Sequence, residues 1–322
     1  MPDPELWNVD LLLSLLRGDA EVVDGQLTID GEPVRVVNGI PRFTPDQSYS
    51  SGNFSTLREK HATVQLDSQN GTEDRITTLL TRSNWPREFF AGKLVLECGC
   101  GAGPDTETLL KLGATVVAVD IAGVDVARAN LGQHPRLVLA QASILDLPFR
   151  REAFDLVFCH RVIMHTPDPT AVLEHILTFA NPEGDAFVHS YSRDLFQMAR
   201  WKYVLRPITR RMAPDRLYRL IEAATPVLYP LTTWLNRNRY LRRLCWIFVP
   251  YINHRHYEKY AAISDDEMRR YAIHETFDAL SPRYDSPLSI RQLKTVAEKH
   301  LRRPVEVFKG RAYVVLRTLV DR

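Results

Sequence analysis

The stretch Lys93–Asp120 reads KLVLECGCGAGPDTETLLKLGATVVAVD and contains two apolar runs separated by a glycine-rich turn. The run Leu94–Leu96 has no polar alternation, which is typical of a strand buried on both faces of a parallel sheet. Glu97 ends this run, and a Gly-x-Gly-x-Gly turn, a predicted helix near residues 105–112 and a second β-branched strand follow it. The order strand, glycine turn, helix, strand and acid predicts an open α/β sheet that holds a nucleoside at its carboxyl edge.

The spacing of the glycines argues against a dinucleotide as the ligand. A dinucleotide-binding turn has a third glycine three residues after the second. Counted from Gly101, that place holds Pro104, and the third glycine comes one residue early, at Gly103. Glu97 also stands just before the turn, where a pyrophosphate would meet a carboxylate. A phosphate-free zwitterion carries an ammonium group that this carboxylate would favour.

These residues resemble motif I of the class I S-adenosylmethionine (SAM) dependent methyltransferases, of the type 11 kind. Glu97 stands where that family has Asp or Glu, and Asp120 stands where its second acid binds both ribose hydroxyls. The resemblance implies a Rossmann-like, mostly parallel sheet, SAM as the cofactor and transfer of a methyl group. It implies cofactor contacts at Glu97, Gly99, Cys100, Gly101, Gly103, Asp120, Ile121, Ser143, Ile144, Asp146 and His160.

The residue that would hold the adenine amino group is left open between two positions. The stretch at residues 143–149 reads SILDLPF and resembles the place where the family commonly has an acid. Ser143 stands where Asp is expected, and Asp146 lies three residues further along. Either side chain could reach the adenine edge.

The remaining apolar runs predict the rest of the sheet. Their positions are residues 137–140, 154–159, 185–191, 305–308 and 312–319. The last two form a predicted antiparallel hairpin around Lys309-Gly310, which this methyltransferase sheet has and a dinucleotide-binding sheet generally lacks. We therefore expect residues 93–191 to form the SAM-binding core and residues 286–322 to complete it.

The first 48 residues predict a small module of one helix and short β-strands. Asp24-Gly25 and Asp30-Gly31 are hairpin turn signals. The module ends in NGIPRF at residues 38–43 and resembles a small zinc-ribbon module that accompanies some class I methyltransferases, but it contains no cysteine. We expect a hairpin module without metal, followed by a linker and cap helices over residues 49–92.

Residues 192–285 form a predicted helical insertion that the minimal fold does not need. Residues 193–255 contain thirteen Arg or Lys residues and only three acids, whereas the whole chain has a formal net charge of +2. Aromatic residues are interleaved with these charges, and arginine suits phosphate or carboxylate groups. We expect this insertion to be an acceptor-binding cap. The alternative is a segment that binds nucleic acid or an anionic membrane surface.

Two histidines are candidate bases for methyl transfer. A hydroxyl or amine acceptor must lose a proton when it attacks the methyl group. His160 follows the fourth predicted strand directly, and His165 lies in the following loop, HRVIMHTPDP, which resembles the corresponding loop of the family. No Asn-Pro-Pro-Tyr-like pattern follows this strand, which favours O-methylation of a small molecule, a glycan or a lipid-linked acceptor over base methylation.

Composition indicates a soluble globular protein of 322 residues, with 45% hydrophobic and 25% charged residues. The four cysteines are spread between the glycine turn, a predicted buried strand and the insertion, which predicts thiols in a reducing compartment. Cys98-Gly-Cys100 has no nearby Cys or His set, so we expect no metal. The acidic N-terminus and the lack of a bilayer-length apolar run predict a cytoplasmic protein.

Overall fold

The computed structural model describes residues 8–44, 60, 62–193, 200–260, 263–310 and 312–320. The chain divides into two compact units. The sheet unit comprises Met1–Ser51, Gly71–Ser192 and Tyr284–Arg322, and the helical unit comprises Gly52–Asn70 and Arg193–Arg283.

The helices and strands of the described chain are named in chain order. The helices are α1 (Val9–Leu15), α2 (Asp67–Asn70), α3 (Asp74–Ser83), α4 (Pro104–Lys111), α5 (Val124–Leu131), α6 (Pro169–Leu177), α7 (Trp201–Thr209), α8 (Pro214–Arg237), α9 (Arg239–Phe248), α10 (Asp265–Leu280) and α11 (Ile290–His300). The strands are β1 (Ala20–Val23), β2 (Gln26–Ile29), β3 (Glu32–Pro33), β4 (Val36–Val37), β5 (Ile40–Pro41), β6 (Leu94–Cys98), β7 (Thr115–Asp120), β8 (Leu137–Gln141), β9 (Phe154–His160), β10 (Ala180–Tyr191), β11 (Val305–Lys309) and β12 (Tyr313–Thr318). Short 3-10 helices cover Arg87–Phe90, Ile163–His165 and Glu258–Tyr260.

The central sheet has seven strands in the order β11-β12-β10-β9-β6-β7-β8. Neighbours from β10 to β8 run parallel, and β12 is antiparallel to both β10 and β11. This arrangement confirms the predicted mostly parallel sheet with its closing hairpin. The chain builds β6, β7 and β8 outward on one side and then returns to place β9 on the other side of β6. Ligands of such sheets bind at this reversal, outside the carboxyl ends of the strands.

The central strands are covered on both faces. Leu96 and Val117, which lie opposite each other in β6 and β7, belong to a hydrophobic cluster with residues of α6 and α11. Val95 and Val116 enter a second cluster with Leu109 of α4. All four strand residues are fully buried. Burial on both faces explains why these strands read as unbroken apolar runs.

The N-terminal part of the sheet unit joins the β8 edge. β1, β2 and β3 form an antiparallel sheet, and β4 and β5 form a separate hairpin. The backbone N–H of Phe43 donates to the carbonyl of Gln141 at 2.8 Å. The Arg42 guanidinium donates to both carboxylate oxygens of Asp125, at 2.6 and 3.0 Å. The resemblance of this part to a zinc-ribbon module stays a prediction.

The helical unit has its own core. Leu217, Ile221 and Tyr229 of α8 cluster with Met268 and Phe277 of α10, and all five are buried. Among the described residues, no helix combines the length and the apolar character that are needed to cross a membrane.

Candidate functional site

The turn after β6 depends on its glycines. Gly99, Gly101 and Gly103 have φ values of +89°, +60° and +91°, a region that favours glycine because a side chain would be strained there. The N–H groups of Gly99 and Cys100 both donate to the carbonyl of Val119, at 2.8 and 3.0 Å. The turn is thereby fixed to the end of β7.

Asp120 at the end of β7 joins two turns through one carboxylate. Its Oδ2 accepts a hydrogen bond from the N–H of Gly101 at 2.9 Å. Its Oδ1 accepts from the N–H groups of Ala122 and Gly123, each at 2.9 Å. The carboxylate is buried, and its three amide donors fix its orientation at the carboxyl edge of the sheet.

Gly123 is a site residue that the sequence reading missed. A Cβ at this position would lie 2.3 Å from the carbonyl oxygen of Gly101, which is closer than van der Waals contact allows. Its φ is −102°, so the need for glycine is steric and comes from the neighbouring turn. The sequence offers one signal for this role, because Gly123 directly precedes a helix that begins at the carboxyl edge of the sheet.

Glu97 is a buried carboxyl group below the glycine turn. Its Oε2 accepts a hydrogen bond from the Thr106 hydroxyl at 2.6 Å. Burial raises the pKa of Glu97 to about 8, and the negative charges of Asp105 and Asp120 add to this effect against the opposing Thr106 hydrogen bond. A ligand ammonium group beside this carboxyl would stabilise its ionised form.

Two half-buried charged side chains contact the ring of His160 at the end of β9. Its Nδ1 lies 2.9 Å from Oδ2 of Asp105, and its Nε2 lies 3.0 Å from a guanidinium nitrogen of Arg82. Because arginine can only donate, Nε2 accepts and Nδ1–H donates to Asp105. Burial lowers the pKa of His160 to about 4, so the ring is neutral near pH 7.

Asp105, in the first turn of α4, also accepts from Arg75 at 3.1 Å. Burial alone would raise the pKa of Asp105, but His160 and Arg75 outweigh it and hold the pKa well below its usual range. Both ring nitrogens of His160 are therefore engaged, Nδ1 with Asp105 and Nε2 with Arg82. This geometry does not favour His160 as the base, and its roles in catalysis and SAM binding stay predictions.

The sequence analysis did not identify Arg75 and Arg82 as partners in this network either. They lie seven residues apart on α3 and therefore share one face of that helix. The seven-residue spacing indicates a shared helix face, but it does not predict which residues the two side chains contact.

His165 lies in the short 3-10 turn after β9. Its Nδ1 lies 3.0 Å from the carbonyl oxygen of Tyr284. A carbonyl only accepts, so Nδ1 carries the proton and Nε2 carries the lone pair. The turn is fixed on both sides, because the N–H of Ser286 donates to the carbonyl of Met164 and Val162 lies against Gly99. The role of His165 as the base stays a prediction.

The two candidates for the adenine contact have different surroundings. The Asp146 carboxylate is 70% exposed and pairs with Arg17 at 3.0 Å. The Ser143 hydroxyl accepts from the N–H of Leu145 at 3.2 Å, and Ile144 between them is buried. Ile121 is held from the neighbouring strand, where the Gln141 side chain donates to its carbonyl at 3.0 Å. The assignment of the adenine contact to Ser143 or Asp146 stays a prediction.

The cysteines and acids of the site do not gather as a metal set. All four cysteines lie in the described chain as buried thiols that form no disulfide. Within the residues that the structure describes, no three His, Cys, Asp or Glu side chains group closely enough to hold a metal ion.

Comparison with known proteins agrees with this geometry. Residues 96–188 match the family model described as a methyltransferase domain. The ubiquinone biosynthesis O-methyltransferases of Pseudomonas fluorescens (strain SBW25) and Pseudomonas putida (strain GB-1) are each 32% identical over 142 residues, which cover 40% of this chain and 60% of theirs. The chain thus spans about 60% of the length of these relatives.

Two solved structures align with most of the chain at low identity. A putative SAM-dependent methyltransferase from Methanococcus maripaludis is 10% identical, with a TM-score of 0.42, over 87% of this chain and 97% of its own. Magnesium protoporphyrin IX methyltransferase from Synechocystis PCC 6803 is 14% identical, with a TM-score of 0.39, over 81% of this chain and 84% of its own. The family model assigns a methyltransferase domain to residues 96–188, which contain the central parallel strands and the strand-end turns described above.

Proposed function

We propose that the protein transfers a methyl group from SAM to a hydroxyl group of a small molecule, a glycan or a lipid-linked acceptor. The observation that carries this proposal is the pair of buried carboxyl groups, Glu97 and Asp120, on adjacent strands around one glycine turn. Glu97 suits an ammonium group and Asp120 suits hydroxyl donors. The names of the relatives, which are O-methyltransferases, support oxygen as the acceptor atom.

The residues present fit SAM better than a phosphate-bearing cofactor. The turn at residues 97–103 carries a carboxyl group and no cationic side chain. We propose cofactor contacts at the eleven residues that the family resemblance implies, among which Glu97 and Asp120 are the two buried carboxyl groups. When bound, SAM supplies a methyl group that is activated by its sulfonium. The chain must bind it, orient the acceptor and remove a proton.

We assign the proton removal to His165. Its Nδ1–H donates to the Tyr284 carbonyl, which fixes the ring and leaves the lone pair on Nε2. A hydroxyl that lies against Nε2 would lose its proton to this nitrogen as its oxygen attacks the methyl carbon. The 3-10 turn that carries His165 also contacts the glycine turn through Val162. This contact supports the proposal of a base close to the glycine turn.

We propose that the helical unit selects the acceptor. The chain leaves the sheet unit after Ser192 and returns at Tyr284, whose carbonyl accepts a hydrogen bond from His165. The unit's arginine content suits an acceptor that carries phosphate or carboxylate groups.

The first test of this proposal is Asp120→Ala. Loss of the charged acceptor should weaken SAM binding by roughly 10- to 150-fold in calorimetry. Asp125→Ala, which removes a half-exposed acid five residues away, is the matched control and should bind SAM normally. Unchanged affinity in Asp120→Ala would refute the cofactor site. If the native protein binds SAM but yields no methylated product from labelled SAM and cell extract, the transfer activity is refuted instead.

The second test uses Gly123→Ala. The added methyl group would collide with the Gly101 backbone and separate the two turns, so SAM affinity should fall by roughly tenfold or more. Gly132→Ala is the control. That glycine has φ +64° with open space around it, so the change adds backbone strain without a collision. A Gly123→Ala protein that binds SAM as tightly as Gly132→Ala would contradict the role assigned to the contact.

A further inference from the structure

The longest helix of the helical unit carries an exposed apolar stripe. Leu220, Val227, Leu231 and Trp234 of α8 are all exposed, and Trp234 is 60% exposed. Their spacings of seven, eleven and fourteen residues from Leu220 place them within about 60° of one another around the helix. Another side of α8, which includes Ile221 and Tyr229, already packs in the core of the unit. The stripe is therefore a second apolar face that the core of the unit does not use.

The helices before and after α8 in the chain, α7 and α9, also carry exposed apolar side chains. Tyr240, Leu244 and Phe248 follow one another at four-residue spacing on α9, and Phe248 is 70% exposed. Val204 and Ile208 form an exposed pair on α7. Of the fifteen large hydrophobic side chains exposed in the described part of the chain, nine lie between residues 204 and 248. Single exposed apolar residues are normal on proteins, whereas stripes on three consecutive helices are more than such scattered residues.

Positive charge accompanies these stripes. Residues 200–250 contain eleven Arg or Lys and two acids, an excess of nine, whereas the whole chain has +2, so the remainder has −7. Arg237, Arg239 and Arg243 are exposed at the junction of α8 and α9, beside Trp234 and Tyr240. The Arg239 guanidinium lies 4.8 Å from the centre of the Tyr240 ring. Arginine beside tryptophan and tyrosine is the residue pattern of a membrane–water interface.

We propose that α7, α8 and α9 bind the surface of an anionic lipid bilayer, with their apolar stripes in the headgroup–acyl boundary and their arginines at anionic headgroups. Amphipathic helices of this charge and apolarity lie in the interface plane. Nucleic acid would engage the arginines and aromatic rings but would leave Val204, Leu220 and Val227 exposed to water. A second copy of the chain would bring two strongly positive surfaces together. This inference does not depend on the proposed methyl transfer.

The test is sedimentation of the full-length protein with phosphatidylcholine vesicles that contain or lack phosphatidylglycerol. We expect binding to the anionic vesicles, weaker binding at high salt, and little binding to the neutral ones. The double variant Trp234→Ser/Phe248→Ser should bind the anionic vesicles at least about tenfold more weakly, since both side chains lose their apolar burial. Its matched control, Val22→Ser/Leu145→Ser, removes two exposed hydrophobic residues of the sheet unit and should bind like the native protein.

Other results would overturn the proposal. Native protein that stays in the supernatant with anionic vesicles contradicts it, as does equal binding of the native protein and the Trp234→Ser/Phe248→Ser variant. Light scattering that shows a dimer in the native protein and a monomer in this variant would assign the stripes to a second copy. Salt-sensitive retention on nucleic acid without vesicle binding would assign the arginines to that partner. Unchanged thermal unfolding of the variant would show that its loss of binding is not a loss of fold.

Discussion

Replacing His165 by glutamine is expected to lower kcat for methyl transfer by about 10²- to 10⁴-fold, the contribution of a positioned general base. The geometry behind this expectation is the hydrogen bond from Nδ1 to the Tyr284 carbonyl, which leaves the lone pair on Nε2. Glutamine keeps a polar side chain of similar reach but cannot accept a proton. SAM affinity should stay within about threefold of the native value, because the substitution leaves the two carboxyl groups of the cofactor site in place.

His160→Gln is the control that separates the two histidines. The His160 ring joins Asp105 and Arg82 inside the protein, so its loss should lower the free energy of unfolding by about 1–3 kcal/mol. Its kcat should fall far less than that of His165→Gln once SAM is saturating. If His160→Gln abolishes turnover and His165→Gln retains it, the assignment of the base is reversed. Full activity in both variants would mean that the acceptor loses its proton to water.

The sheet could be predicted because burial on both faces restricts which residues can stand in a central strand. Val95 and Leu96 point to opposite faces and are both fully buried, so the run has to be apolar throughout. The glycine turn could be predicted as well, since positive φ at alternate positions requires glycine. These are local constraints, and they are visible in neighbouring residues.

The partners inside the site could not be predicted in the same way. Arg82 and His160 are 78 residues apart, and Asp105 and His160 are 55 apart. Nothing local to His160 indicates that both of its ring nitrogens are engaged. The steric need for glycine at position 123 likewise arises from the backbone of Gly101 on another strand's turn. Contacts of this kind depend on the register and packing of the sheet, which the sequence pattern does not specify.

The pairing of the N-terminal strands could not be predicted from local sequence either. The sequence VRVV at residues 34–37 fits one short strand after the turn at Asp30-Gly31. In the structure, only Val36 and Val37 form a strand there, and they pair with Ile40 and Pro41 instead of extending the first sheet. The reason is tertiary, because the chain at residues 42 and 43 is already bound to Gln141 of β8.

Glu97→Gln is expected to stabilise the fold at alkaline pH while it weakens SAM binding. The folded pKa of Glu97 is about 8, against an ordinary value of 4.5, because its carboxyl is buried. Between these two values the folded state holds a proton that the unfolded state has lost. The free energy of unfolding of the native protein therefore falls, through this group, by about 1.4 kcal/mol for each unit of rising pH.

In the Glu97→Gln variant the free energy of unfolding does not fall with rising pH through this position, because glutamine does not ionise. Relative to the native protein, its free energy of unfolding should be nearly unchanged at about pH 4 and higher by roughly 3–5 kcal/mol at about pH 9, as measured by urea unfolding. Glu183→Gln alters an exposed carboxyl group and should show no such difference between the two pH values.

The same substitution removes the charge that would face the ammonium group of SAM. SAM affinity of Glu97→Gln should fall by about tenfold or more at pH values near 9, where the native carboxyl is ionised in the folded protein. Calorimetry in buffers of different ionisation enthalpy should also show, for the native protein near pH 7, the release of a proton on binding that the variant lacks. A variant that is stabilised at high pH and still binds SAM with native affinity would leave the buried carboxyl group as a structural feature and remove it from the cofactor site. A variant that binds weakly but gains no stability at high pH would show that Glu97 is already ionised in the folded state before SAM binds.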